Sequence, residues 1–114
     1  GMERLILALD KADKLLTTKY TPKLFIACLG KQALMEGLLI ANKLRQYIPV
    51  EVETSQRSLK AQLKYANKLG VLYTLIIGQE ELNNRKAILR DMRTGSQRNI
   101  PIDADTIKEV LSGE

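Results

Sequence analysis

The sequence predicts an α/β domain built on a mixed sheet, and three observations carry that expectation. Two short apolar runs, residues 24–29 and 72–77, have the length and texture of strands buried on both faces. The segments between them place apolar residues every three or four positions, the period of a helix packed on one side. Alternation of that kind gives parallel strands joined by helical crossovers. Beyond them, Thr94-Gly95 separates the segments 87–92 and 98–102, a hairpin signal that adds antiparallel strands.

Each element has its own justification. Residues 2–16 read as a helix with Leu5, Ala8, Leu9, Ala12, Leu15 and Leu16 in one stripe. Residues 17–23 read as a linker, where Pro22 stops a helix from continuing. The body of the domain is then 24–114. Gly30 closes the first strand, and a helix is expected over 31–47 with Ala33, Leu34, Leu38, Ala41 and Leu44 on its buried side. A glycine inside a helix costs about 1 kcal/mol relative to alanine, so the expected use of Gly37 is close packing against a strand. Pro49 ends this helix, and residues 50–53 alternate like a half-exposed strand. The helix over 57–69 has Ser55 as its expected cap and Gly70 as its stop. Residues 78–86 read as a polar turn, and Asp103 or Asp105 caps a last helix through Leu111.

Composition removes several classes of function. The 114 residues suit one core, and 45% hydrophobic with 27% charged residues is an ordinary globular balance. The chain has no histidine, so the usual general base and the commonest metal ligand are missing. Its one cysteine, Cys28, lies in an apolar run and is expected to be a small buried hydrophobe. A lone cysteine fits a reducing, cytoplasmic setting. No apolar stretch is long enough to span a membrane, and the first residues lack the pattern of a signal peptide. With scattered carboxylates, no metal site is expected. Gly30-Lys31 opens a helix after a strand, where anions can bind, but the multi-glycine spacing of a phosphate loop is absent. No catalytic residue and no cofactor are expected in this chain.

The basic helix is the strongest functional signal. Arg57, Lys60, Lys64 and Lys68 fall in one sector, opposite Leu59, Leu63, Ala66 and Leu69. No acidic residue occurs from 54 to 79, so this stretch supplies nothing to neutralise the ridge. The net charge is +5, and further cations follow at Arg85, Lys86, Arg90, Arg93 and Arg98. A solvated helix face usually mixes signs; a uniform ridge suits a polyanion such as RNA. Tyr20, Tyr47, Tyr65 and Tyr73 are candidate stacking surfaces for unpaired bases, although such positions more often pack in a core or at its rim.

The wording of this region is also distinctive. Ser58-Leu59-Lys60-Ala61-Gln62-Leu63-Lys64-Tyr65-Ala66-Asn67-Lys68-Leu69-Gly70 closely resembles a segment of the anticodon-binding domain of histidyl-tRNA synthetases. Leu75-Ile76-Ile77-Gly78 with Glu81-Leu82, and Ile88-Leu89-Arg90-Asp91-Met92 with Thr94-Gly95, resemble the blocks that follow. The resemblance implies a mixed five-stranded sheet flanked by helices, as in class II synthetases, here with an extra N-terminal helix. It implies that the domain grips the anticodon stem-loop of tRNA while a separate catalytic domain of the parent enzyme activates histidine with ATP. By analogy with related class II synthetases, it points to Gln56, Lys64, Glu81 and Arg90 as anticodon contacts. The helical wheel adds Arg57 and Lys60 as candidates for phosphate contact.

There are departures. The family often has a glycine before the fourth strand and a lysine where Arg90 stands; here the turn is Asn83-Asn84-Arg85-Lys86. Residues 1–9 resemble the end of the third class II catalytic motif, which would make Arg4 a relic of an ATP site. A chain of this length is too short to activate an amino acid by itself. The alternative expectation is a non-catalytic, synthetase-like regulatory or dimerisation module, with the 5–16 leucine stripe pairing two copies as a homodimer.

Overall fold

The computed structural model describes residues 22–113. The expected helix over 2–16, with Arg4, and nearly all of the linker lie outside the described residues. Within them, β1 (Leu24–Cys28), α1 (Lys31–Leu44), β2 (Val50–Val52), α2 (Leu59–Leu69), β3 (Tyr73–Ile77), α3 (Gln79–Asn84), β4 (Lys86–Asp91), β5 (Gln97–Pro101) and α4 (Ala104–Ser112) follow in order. The strands form one sheet in the order β2-β1-β3-β4-β5. β1 pairs in parallel with β2 and β3, whereas β3–β4 and β4–β5 are antiparallel. The mixed five-stranded sheet expected from the sequence is therefore present.

All five residues of β1 and all five of β3 are buried, as continuous apolar runs require in central strands. Because side chains alternate across a strand, each contributes to two cores. On one side, Leu24, Ile26 and Cys28 join Leu75, Ile77, Leu89 and Ile100 beneath α1 and α4. On the other, Phe25, Ala27 and Ile76 meet Ala66 and the half-buried Leu59, Leu63, Tyr65 and Leu69 of α2.

Gly37 has the close packing its sequence position implied. A Cβ there would stand 2.7 Å from Cys28 Sγ and 3.1 Å from an Ile26 methyl, so α1 approaches β1 more closely than any side chain allows. The buried side of α1 is Ala33, Gly37, Ile40, Ala41 and Leu44. Leu38, expected on that side, is instead 42% exposed, one helical step round from Gly37. The close approach at Gly37 sets the helix roll and turns Leu38, with Met35 and Leu39, outward.

Helix ends supply three further corrections. α1 stops at Leu44 rather than 47, and Tyr47 and Ile48 donate their backbone N–H groups to the Leu44 carbonyl in a closing turn. The cap of α2 is Ser58, whose hydroxyl accepts from the Ala61 N–H at 3.2 Å, and not Ser55. Residues 79–84, expected as turn, form the short helix α3. Its C-cap is Arg85 at φ 56°, a left-handed conformation that a glycine would adopt more easily. Asp103 caps α4, accepting from Thr106 N–H at 3.0 Å and Thr106 Oγ1 at 2.8 Å.

Candidate nucleic-acid interface

The two sides of the sheet are covered unequally. α2 lies over β1, its apolar layer reaches Ile88 of β4, and among the described residues no helix packs on β5 from that side. The register aligns Phe25, Thr74, Arg90 and Gln97 in one row across four strands, and Ala27, Ile76, Ile88 and Asn99 in the next. In each row the residues become more polar toward β5. Lys86, Gln97 and Asn99 are exposed, while Ile88 and Arg90 are half-buried. Arg90 Nη1 donates to Gln97 Oε1 at 2.9 Å, which fixes the guanidinium over the sheet without neutralising it.

The lysine ridge lies on the solvent side of the helix that packs on this side of the sheet. Lys60, Lys64 and Lys68 are exposed on successive turns of α2, about 6 Å apart along its axis. Among the described residues none of the three has an acidic partner. Arg57 is different. It precedes the helix, and its guanidinium donates to both oxygens of Glu53, at 3.0 and 2.5 Å. The expectation of a fully uncompensated ridge therefore fails at this residue, because its partner sits one position before the acid-free stretch. The Glu53 side chain is only 1% exposed. Hydrogen bonding from Arg57 holds its carboxyl below the ordinary glutamate range against the opposing effect of burial.

Glu53 also accepts from the backbone N–H groups of Ser55 and Arg57 at 3.2 and 3.3 Å. Between those donors stands Gln56, exposed and at φ 58°. Arg57 then lies over the Tyr65 ring, 4.6 Å from its centroid, and Tyr65 meets Phe25 edge-on at 5.7 Å. Tyr65 is thus rim packing with one occupied face, not an empty stacking platform.

Buried Gln62 ties this end of α2 to the sheet. Its Oε1 accepts from Cys28 N–H at 3.0 Å, and its Nε2 donates to the carbonyls of Cys28 at 3.0 Å and Arg57 at 2.6 Å. A buried amide is justified when its partners are present, and here it satisfies the end of β1 where pairing with β2 has stopped. The Cys28 thiol beside it is pushed up to about 12, first by burial and then by the charge of Glu53, so it has no nucleophilic character near neutral pH.

Glu81 stands at the start of α3, and its Oε1 accepts from Gly78 N–H at 2.7 Å. That bond fixes the turn and the carboxylate together. A groove of about 550 Å³ runs from there over the open strands, lined by Glu80, Glu81, Asn84, Lys86, Ile88 and Asn99. The structure thus places Lys60, Lys64 and Arg90 on the α2 side of the sheet, Gln56 and Arg57 ahead of the same helix, and Glu81 where β3 ends. Sequence reading missed Glu53, Gln62 and Asn99. The strand 50–53 gave no signal for Glu53, since strict alternation would leave it outside. Gln62 gave a faint one, being the polar residue next to Leu63 on an apolar side.

The other cations are partly engaged. Arg85 pairs with Glu36 at 3.3 Å and Arg93 with Asp91 at 3.1 Å. Arg98 lies one position off the Gln97–Asn99 face. Among the described residues no cluster of acidic or cysteine side chains could hold a metal ion.

Comparison with known proteins gives the arrangement its family. Residues 23–112 match the family described as an anticodon binding domain. The chain belongs to that family. It is 43% identical over 104 residues to the histidine–tRNA ligase of Caldanaerobacter subterraneus subsp. tengcongensis, covering 90% of this chain and 25% of that protein. Among solved structures, apo histidyl-tRNA synthetase of S. aureus superimposes with a TM-score of 0.72 at 34% identity, over 96% of this chain and 32% of that one. The RNA binding domain of threonyl-tRNA synthetase from Cryptosporidium parvum Iowa II also gives a TM-score of 0.72, at 18% identity, over 82% of this chain and 23% of that one; it shares the fold. This anticodon-binding domain is homologous to the C-terminal region of histidine–tRNA ligases. The chain spans about a quarter of the length of the curated relatives it matches.

Proposed function

We propose that this chain binds the anticodon stem-loop of a tRNA, histidine tRNA first, as the anticodon-binding part of a histidine–tRNA ligase. One observation carries the reading: three exposed lysines without acidic partners among the described residues lie along the helix that packs on the same side of the sheet as Arg90, Gln97 and Asn99. Lys60 and Lys64 hold phosphates, since a compact ammonium on a flexible stem neutralises charge without demanding one geometry. Gln56 and Glu81 are suited to base edges, where amides and carboxylates distinguish donors from acceptors. Arg90, held flat by Gln97, suits a phosphate or a base. Arg57 contributes by shaping the loop, because its charge is met by Glu53.

In this reading the catalytic step and its ATP belong to a separate catalytic domain of the parent enzyme, which is the domain's protein partner. This chain supplies position and affinity. Fluorescence anisotropy with labelled anticodon stem-loops tests the proposal. Binding to the histidine stem-loop is expected to weaken with salt, with a slope of about 3 in log Kd against log salt for the three lysines and Arg90. Equal affinity for stem-loops bearing unrelated anticodons, or no binding at low salt, refutes it.

A further inference from the structure

Gln56 is an unexplained strain. A non-glycine residue at positive φ is uncommon, and the only other one among the described residues, Arg85, ends a helix, where that conformation is ordinary. Gln56 ends no helix. Its conformation is imposed from below. The Glu53 carboxylate, 1% exposed, accepts from the N–H groups on either side of it, Ser55 and Arg57, and from two nitrogens of the Arg57 side chain. The far end of the loop is held again where the Arg57 carbonyl accepts from buried Gln62 at 2.6 Å. The backbone is therefore fixed on both sides, while the Gln56 side chain is exposed and makes no hydrogen bond among the described residues.

A fixed backbone carrying an unengaged amide is a preorganised recognition group. The ordering is done before the partner arrives, so less is lost on binding. Strain of this kind persists only where the surroundings over-determine it, and it gathers at functional positions. The amide sits just ahead of α2, beside the ridge that would hold the RNA backbone.

We infer that Glu53 is a positioning residue for base recognition: its buried carboxylate sets the 54–57 loop so that the Gln56 amide is held out to read a base edge of the bound RNA. The inference rests on the functional reading above and adds a division of labour. The lysine ridge sets affinity and its salt dependence. Glu53, besides meeting the charge of Arg57, acts on discrimination through Gln56.

The test uses the whole 114-residue chain, with the histidine anticodon stem-loop and versions carrying single base changes in the loop. Glu53→Gln is expected to lower the ratio of the two affinities about tenfold or more, the scale of a lost base contact, while the Arg57 charge it frees raises affinity for all the stem-loops alike. Gln56→Ala should lower the ratio equally, Gln56→Asn should keep part of it, and the double variant should fall no further. In the native chain the positive φ of Gln56 gives a strong intraresidue HN–Hα NOE, and Glu53→Gln should weaken it.

If Glu53→Gln fails to fold, Glu53→Asp keeps the charge but withdraws it from the backbone, and the same coupling to Gln56 is expected. Native discrimination in these variants, or an equal further loss when they are made in the Gln56→Ala background, overturns the positioning role. A native chain that binds but does not discriminate overturns the role given to Gln56. A native chain that binds no stem-loop overturns the functional reading itself, and the NOE then still decides whether Glu53 holds the loop.

Discussion

The two sides of the sheet make opposite use of the same strands. Beneath α1 and α4, the alternate residues of β1 and β3, with Ala87, Leu89 and Ile100 of β4 and β5, are apolar and buried, and only Asp91 and Arg98 at the margin are charged. On the α2 side, the same strands pass from Phe25 and Ala27 through Thr74 and Ile76 to Arg90, Gln97 and Asn99, and among the described residues no apolar layer closes over the last of them. One side therefore holds the fold and the other presents it. A β-strand can do both at once because successive side chains point to opposite faces.

The comparison can be broken most forcefully from the covered side. Leu75→Ala removes a fully buried side chain beneath α1 and is expected to cost about 2–5 kcal/mol of stability in a urea melt. RNA affinity of the fraction that remains folded should not change; a selective loss of RNA binding would show that the two sides are not separable. Gln62→Leu tests the seam between them. It leaves the N–H and carbonyl of Cys28 without their side-chain partner and should cost about 2–4 kcal/mol, despite being a polar-to-apolar change at a buried site.

Charge reversal sharpens the contrast at smaller cost. Lys64→Glu and Arg90→Glu should each weaken stem-loop binding on the order of tenfold and reduce the salt slope by about 1. Lys31→Glu and Lys43→Glu, exposed on α1, should do much less. Equal effects at all four positions would mean that net charge, not the α2 side, drives association.

The smallest effect concerns Glu53. Its folded pKa is depressed, chiefly by the Arg57 hydrogen bonds. Its stabilising contribution is therefore complete above the unfolded glutamate value near 4.3 and is lost as pH falls through the lower folded value. Acid melts of the native chain and of Glu53→Gln should differ above about pH 4 and converge below it; parallel curves throughout would remove Glu53 from the electrostatics of the loop.

Much of this was legible in the chain. The strands, the crossover helices and the hairpin followed from burial patterns and punctuation, which are local properties that survive into the fold. Gly37 announced a close contact because an interior helical glycine needs a reason. The wording of residues 58–70 led to the family. What was not legible lies at ends and at partners. Ser58 displaced Ser55 as the cap because Glu53 holds the backbone of 55–57 in a loop and the helix begins only at Leu59. α3 hid in a polar stretch of six residues, too short to show a helical period. Leu38 faced outward because a glycine, not a leucine, set the roll of α1.

The sequence by itself determined a mixed α/β sheet, a uniformly basic α2 and the family to which both belong. These depend on the order and spacing of residues along the chain, and a single strand or helix expresses them. Only the tertiary structure decided which charges remain available. Arg57 looked equivalent to Lys60 and Lys64 until the chain turned back and set Glu53 beside it, while Lys60 and Lys64 kept no acidic partner among the described residues and Arg90 came to lie on the α2 side of the sheet. Pairing and exposure are properties of neighbours in space, and in this loop a single buried carboxylate both neutralises Arg57 and sets the backbone of Gln56.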